Sequence, residues 1–234
     1  METLNREELL LISLQLKVSD VLKWGKANKV INRKVCQSED VWRRLILRDF
    51  LRDFPSFTFK NSPKLGAKNL YTLFYTLKVW DLNLYRNIDA LYHAVKLQIN
   101  TTNVRTIPAN LNLPNLQVLN LSNNSINHIP DILKLENLRE LYLDYNELKV
   151  IPMHINFPNL KILGFAHNLI ACVPWCLDLV FPKLEQLDLY GNHIKWVPDD
   201  LIMINLRWVR FSILEIENLT HFIKNNPCAS IDLI

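Results

Sequence analysis

The sequence predicts an α/β chain: helices first, then a stacked array of short strands. Three observations carry that prediction. A phrase ending in proline recurs at Pro108, Pro130, Pro152, Pro174 and Pro198, with spacings of 22, 22, 22 and 24 residues. Each copy contains an alternating apolar pair. Residues 1–50 instead carry apolar positions at helical spacing. A fixed period of this length is the signature of a repeat architecture in which each unit buries its apolar face against the next.

The clearest copy runs Leu116, Leu119, Leu121, Asn124, Ile126, Ile129. It recurs as Leu138, Leu141, Leu143, Asn146, Leu148, Ile151, then as Leu160, Leu163, Phe165, Asn168, Ile170, Val173. A further copy is Leu184, Leu187, Leu189, Asn192, Ile194, Val197, and a degenerate first one is Ala94, Leu97, Ile99, Thr102, Val104, Ile107. The middle apolar pair of each copy places two side chains on one face of a short strand, so both enter a core. A buried asparagine amide can serve several backbone groups where the chain leaves that strand. Asn124, Asn146, Asn168 and Asn192 are expected to form such a ladder, broken by Thr102 and by Leu214 in a would-be sixth copy.

This period and pattern resemble the leucine-rich repeat. The resemblance implies a solenoid with parallel strands on the concave face, short irregular or 3-10 segments on the convex face, and a concave surface that holds a partner. About six repeats are expected over residues 89–234, closing with a cap from Leu206 to Ile234.

The N-terminal half reads as helices. Asn5 caps a first, with Glu8 completing a variant capping box and Leu9, Ile12 and Leu16 on one face. Ser19 or Asp20 starts a second, carrying Val21, Leu22, Trp24, Ala27, Val30 and Ile31. Ser38, followed by Glu39 and Asp40, starts a third with Val41, Trp42, Leu45, Ile46 and Phe50 as its apolar positions.

The order Leu4, Glu7, Ile12, Leu16, Asp20-Val21, Cys36 and Trp42 resembles the F-box, which docks substrate receptors onto the Skp adaptor of cullin–RING ubiquitin ligases. The resemblance covers residues 4–50, with Leu4-Asn5 standing where the family usually has Leu-Pro. The run from Trp42 to Arg48-Asp49-Phe50, with a helix around Asn69–Leu77, is similar to F-box proteins of large DNA viruses. It implies that Leu4, Ile12, Leu16, Val21 and Trp42 form or support an adaptor-binding surface. The alternative is a helical cap that seals the first repeat.

The domain organisation expected is therefore an F-box-like helical domain over residues 1–53, a helical linker and N-terminal cap over 54–88, and a leucine-rich-repeat domain over 89–234. In the linker, Pro55 and Asn61-Ser62-Pro63 punctuate an irregular stretch. Beyond them Leu70, Leu73, Phe74, Leu77, Val79 and Trp80 suggest a helix docked on the first repeat, which would hold the two ends rigidly.

Composition excludes several classes. No apolar run approaches the roughly 18–20 residues of a membrane span. Leu9 to Leu16 is short and preceded by Glu7 and Glu8, unlike a secretory signal. Four cysteines without capping-style clusters suit a reducing compartment, the cytoplasm or the nucleus. Residues 1–88 carry 16 Lys/Arg against 9 Asp/Glu, a net of +7, whereas residues 89–234 carry 11 against 14, a net of −3. The basic residues are scattered among helical apolar positions, which favours an acidic protein over nucleic acid or a membrane as the partner of that half.

On the strand face of the repeats, residues flanking the leucines point away from the core. The third to fifth repeats place Glu140, Asp144 and Asp188 beside Tyr142, Tyr145 and Tyr190, and a sixth adds Trp208 and Arg210. Tyr and Trp are frequent anchors at interfaces, and neighbouring carboxylates can pair with Arg or Lys. The expected substrate-binding residues are Tyr142, Asp144, Tyr145, Asp188, Tyr190, Trp208 and Arg210, gripping a protein with a basic, partly apolar segment. Gly164 and Ala166 would leave a shallow pocket between tyrosines.

Enzymatic signatures are missing. Cys172 and Cys176 have no further Cys/His pair close in sequence to complete a metal site, and both are expected to be buried and reduced. His167 and His193 are expected to be exposed loop residues. Only four glycines are present, with no phosphate-cradling loop and no nucleophile elbow. No catalytic residue, metal or cofactor is expected. The reading is a substrate-recognition adaptor of a Skp–cullin–RING ubiquitin ligase, with a ubiquitin-independent scaffold as the rival.

Overall fold

Each of the repeated phrases becomes a three-residue strand with its central leucine buried and its flanking residues on the other face, all of them at least partly exposed except Gly164. The computed structural model describes residues 15–17, 20–23, 35–50, 66–80, 88–109, 111–212, 216 and 218–234. Leu4, Ile12, Trp24 and Leu214, on which parts of the sequence reading rest, lie outside the described residues. The chain divides into two compact units, Met1–Tyr75 and Thr76–Ile234.

In the second unit, helix α3 (Ile88–Tyr92) precedes strands β1 (Lys96–Gln98), β2 (Val118–Asn120), β3 (Glu140–Tyr142), β4 (Ile162–Gly164), β5 (Gln186–Asp188), β6 (Trp208–Phe211) and β7 (Ser230–Leu233). They form one sheet in sequence order, every pair parallel. The register follows the repeat length: Lys96 lies beside Val118, Val118 beside Glu140, and Glu140 beside Ile162. The 24-residue repeat carries its two extra residues between Pro174 and Leu184, where a short helix α4 (Leu177–Val180) forms, so Ile162 still pairs with Gln186. The segments from β2 to β3, β3 to β4 and β5 to β6 are irregular, and single turns such as Leu116 N–H to Leu113 O (3.1 Å) and Leu138 N–H to Leu135 O (3.0 Å) tighten the array.

The leucine columns form the core. Leu119, Leu141, Leu163 and Leu187 are buried, as are Leu121, Leu143, Phe165 and Leu189 one alternation further on. The asparagine ladder runs beside them. Asn168 donates to the carbonyls of Leu143 (2.9 Å) and Phe165 (3.0 Å) and accepts from Leu148 N–H (3.0 Å). Asn146 and Asn192 repeat this pattern, and Asn124 does so half-exposed. In the first repeat Thr102 replaces the amide, and its hydroxyl reaches Ile99 O (3.3 Å) and Asn124 Oδ1 (3.3 Å).

Two features go beyond the sequence reading. Among the described residues the sheet has seven strands, the last of them inside the segment expected as the C-terminal cap of about six repeats. Ser230–Leu233 lacks the leucine phrase but pairs with β6 through its backbone, Ile231 beside Val209. It follows helix α5 (Leu219–Asn225), after which buried Asn226 accepts Met203 N–H (2.7 Å) and donates to Leu201 O (3.0 Å). The second feature is an asparagine series on the far side of each turn. Asn137 donates to Pro114 O (2.7 Å), Asn159 to Glu136 O (2.9 Å) and Asn205 to Pro182 O (2.8 Å), tying successive repeats together.

In the first unit, helix α1 (Glu39–Phe50) buries Val41, Trp42, Leu45, Ile46 and Phe50, the apolar set its spacing predicts. Helix α2 (Ala67–Val79) contains the division between the units. Its Tyr71 lies edge-on to Trp42 (centroids 5.4 Å) and Phe50 (4.9 Å), while Phe74 stacks on Phe50 (5.4 Å). The Glu39 carboxylate accepts the otherwise orphaned Ala67 N–H at the start of α2 (2.7 Å). Within the second unit, the Trp80 indole donates to Thr106 O (3.1 Å), so this tryptophan does dock on the first repeat.

Candidate protein-binding surface

The exposed face of the sheet is laid out by the repeat. Tyr142, Gly164, Asp188 and Arg210 follow one another across β3 to β6 in register. Asp144, Ala166 and Tyr190 form the next row, held by Tyr145 N–H to Ala166 O (2.8 Å) and His167 N–H to Tyr190 O (2.7 Å). The row beyond contains Asn123, Tyr145, His167 and Gly191, all with positive φ, so the chain turns left-handed just before each ladder asparagine.

Five of the seven predicted partner-binding residues, Tyr145, Asp188, Tyr190, Trp208 and Arg210, are joined in one network through His167, while Tyr142 and Asp144 have other partners. Asp188 and Arg210 form a two-pronged ion pair, with Arg210 Nε to Asp188 Oδ1 at 3.0 Å. The guanidinium rests over the rings of Tyr190 (5.2 Å) and Trp208 (5.6 Å). Trp208 Nε1 in turn donates to Asp232 on β7 (2.7 Å). The bond to Asp188 strengthens the guanidinium's hold on its proton.

Asp144 makes no ion pair among the described residues, although its charge acts on Arg210. Its carboxylate accepts Ala166 N–H (2.8 Å) and the Ser122 hydroxyl (3.3 Å). Burial pushes its pKa up; the Ala166 N–H opposes that shift, and the charge of Asp188 adds to it. Beside it the Tyr142 hydroxyl donates to Glu140 (3.0 Å), and burial together with that bond pushes the phenol up to about 12.

The expected pocket over Gly164 is filled by this acid. A Cβ added at Gly164 would meet both Asp144 carboxylate oxygens at 2.7 Å, so the carboxylate lies against the bare Cα. Ala166 is buried rather than lining an open hollow. His167 lies in a bend, as expected, but is half-exposed rather than fully exposed. Its imidazole stacks on Tyr145 (4.3 Å) and meets Tyr190 edge-on (5.1 Å). The sequence carried a signal for this, because His167 occupies the repeat position of Tyr145. Gly191, next in the row, has φ +68, and a Cβ there would meet His167 Nδ1 at 2.5 Å.

Of the adaptor residues, Val21 and Trp42 are buried inside the first unit, where they support structure and cannot themselves form a contact surface. Trp42 Nε1 donates to Cys36 O (2.8 Å), and the Cys36 thiol reaches Val21 O (3.4 Å). Leu16 is half-exposed, its carbonyl accepting Arg48 Nη1 (2.9 Å). Arg48 also pairs with Asp49, which accepts the Tyr71 hydroxyl (2.7 Å). Cys172 is exposed and Cys176 half-exposed, contrary to the expectation of burial, because they lie in the irregular segment outside the leucine columns. Among the described residues no three His, Cys, Asp or Glu side chains group as metal ligands, and no helix is long and apolar enough to cross a membrane.

Residues 95–148 match the leucine rich repeat family model. A solved leucine-rich-repeat protein of Leptospira interrogans is similar in structure, with a TM-score of 0.56 and 24% identity. The likeness covers 61% of this chain and 38% of that one, so the chain spans well under half that protein's length. A comparison with curated proteins finds no match. The second unit has the leucine-rich-repeat fold. Such repeats point to a protein–protein interaction scaffold, since stacking leaves one continuous strand face free for a partner.

Proposed function

We propose that the chain is a substrate-recognition adaptor of a Skp–cullin–RING ubiquitin ligase. In this reading the N-terminal helices are an F-box-like domain that docks on a Skp-type adaptor, and through it a cullin. The repeats hold the protein to be modified. The chain performs no chemistry of its own and works in the cytoplasm or nucleus.

The observation that carries the binding half is the rigid cluster of Tyr145, His167, Tyr190, Arg210 and Trp208 on the strand face. Aromatic and Arg side chains already held in place lose little freedom on binding, which favours them as anchors. The adaptor half rests on the resemblance of residues 4–50 to the F-box. It is supported by α1, which carries the expected apolar set, and by the bond from Trp42 to Cys36.

The test is co-purification with a Skp-type adaptor, comparing the native chain with a Leu4→Glu, Ile12→Glu, Leu16→Glu variant. Retention of the adaptor by the native chain and its loss in the variant supports the ligase reading. A native chain that never retains the adaptor would leave a ubiquitin-independent scaffold.

A further inference from the structure

The strand face contains its own example of how it binds a cation. Asp188 on β5 receives the Arg210 guanidinium from the next strand, and that guanidinium lies over the faces of Tyr190 and Trp208. A carboxylate flanked by aromatic faces is a seat in which a cation keeps both its charge pairing and an apolar cover.

Asp144, two repeats earlier, is a second strand-face carboxylate, whose charge acts on Arg210 without an ion pair between them. Tyr142, at the end of β3, stands two residues before it with its hydroxyl on Glu140, and Tyr145 follows it, stacked on His167. The Tyr190 row lies beyond Ala166. The following strand, however, offers Gly164 and Ala166 where an arginine side chain could have come. Asp144 makes no ion pair among the described residues. It accepts two hydrogen bonds, which leaves part of a carboxylate's acceptor capacity unused. The strand-face positions of the third and fourth repeats (Glu140, Tyr142, Asp144, Ile162, Gly164, Ala166) include two carboxylates and no cation. Lys161, just before β4, is engaged by Glu185 (2.6 Å).

We propose that this part of the face seats one arginine or lysine side chain of a flexible partner segment, its cation at Asp144. Only a long, thin side chain can carry charge to a half-buried carboxylate while laying methylenes on apolar surface, and Lys and Arg are the two that do. The raised pKa of Asp144 fits such a seat, because an arriving cation relieves the electrostatic cost of ionising it. The proposal rests on the strand face being the partner surface and adds the chemistry of the partner's anchor.

The test uses the full chain and pools of degenerate heptapeptides whose central residue is fixed as Arg, Lys, Gln or Glu, with binding measured by fluorescence anisotropy. Three proteins are compared: native, Asp144→Asn, and Ile162→Arg, which obstructs the face beside the seat. Thermal unfolding checks that each is folded. The expected result is retention of the Arg and Lys pools by the native chain, with a loss of at least tenfold in Asp144→Asn and no binding of the Glu pool. Binding lost in Ile162→Arg but unchanged in Asp144→Asn would overturn the cation seat and leave the strand-face reading standing. Binding that survives in both variants would overturn both readings. A native chain that retains no pool overturns the seat.

Discussion

The Tyr145 ring stacks on the His167 imidazole, centroids 4.3 Å apart and 15° from parallel, although both residues sit at positive φ. The repeat forces that backbone conformation at the same position in successive units, so two bulky rings are presented one above the other. Stacked pairs contribute about 0.5–1.5 kcal/mol beyond area burial, and the 53% exposure of Tyr145 favours the lower half. A double-mutant cycle with Tyr145→Ala and His167→Ala, read by urea denaturation, should return a coupling of about 0.5–1 kcal/mol.

The ladder is expected to be the least tolerant feature. Asn168→Ala removes a donor to two carbonyls and the acceptor for Leu148 N–H, all away from water. Each unsatisfied buried group costs roughly 1–3 kcal/mol, so the loss should reach roughly 3–5 kcal/mol, measured as a shift of the denaturant midpoint. Asn168→Asp should fare no better, because a carboxylate cannot donate to the carbonyls. A loss below about 1 kcal/mol would mean the backbone finds other partners.

Gly191→Ala should cost roughly 1–2 kcal/mol for the left-handed backbone alone. It should also push His167 off Tyr145, because the new Cβ would meet Nδ1 at 2.5 Å. A changed His167 ring environment in the NMR spectrum separates this displacement from simple backbone strain.

Asp144 sets a pH dependence whose sign follows from its shift. Burial raises its folded pKa above the unfolded value, so the folded state binds more protons between the two. Stability from this group is therefore greatest below the unfolded carboxylate value and declines as pH rises through the folded pKa. Asp144→Asn, which keeps an acceptor for Ala166 N–H, should flatten this part of the pH profile and raise the melting temperature at neutral pH. An unchanged profile would remove Asp144 as its source.

In the first unit, Glu39→Ala leaves Ala67 N–H without its carboxylate acceptor at the first turn of α2. Loss of a helix-start acceptor costs about 0.5–2 kcal/mol. Glu39→Gln should restore most of it, because an amide oxygen still accepts.

Much of this molecule was legible in one dimension. The 22-residue period fixed the strand order and the register, because identical spacing leaves adjacent repeats only one way to bring their leucines into one column. The asparagine ladder and the buried set of α1 followed from residue type and spacing alone. What the tertiary structure decided was the business of individual side chains between repeats. That Arg210 pairs with Asp188 while Asp144 makes no ion pair among the described residues depends on which residue the next strand places alongside, and on how far its side chain reaches. The filled hollow at Gly164, the stacking of His167 and the exposure of Cys172 have the same origin. The seventh strand was hidden because Ser230–Leu233 joins through backbone hydrogen bonds, which every residue but proline can supply and which leave no mark on the sequence.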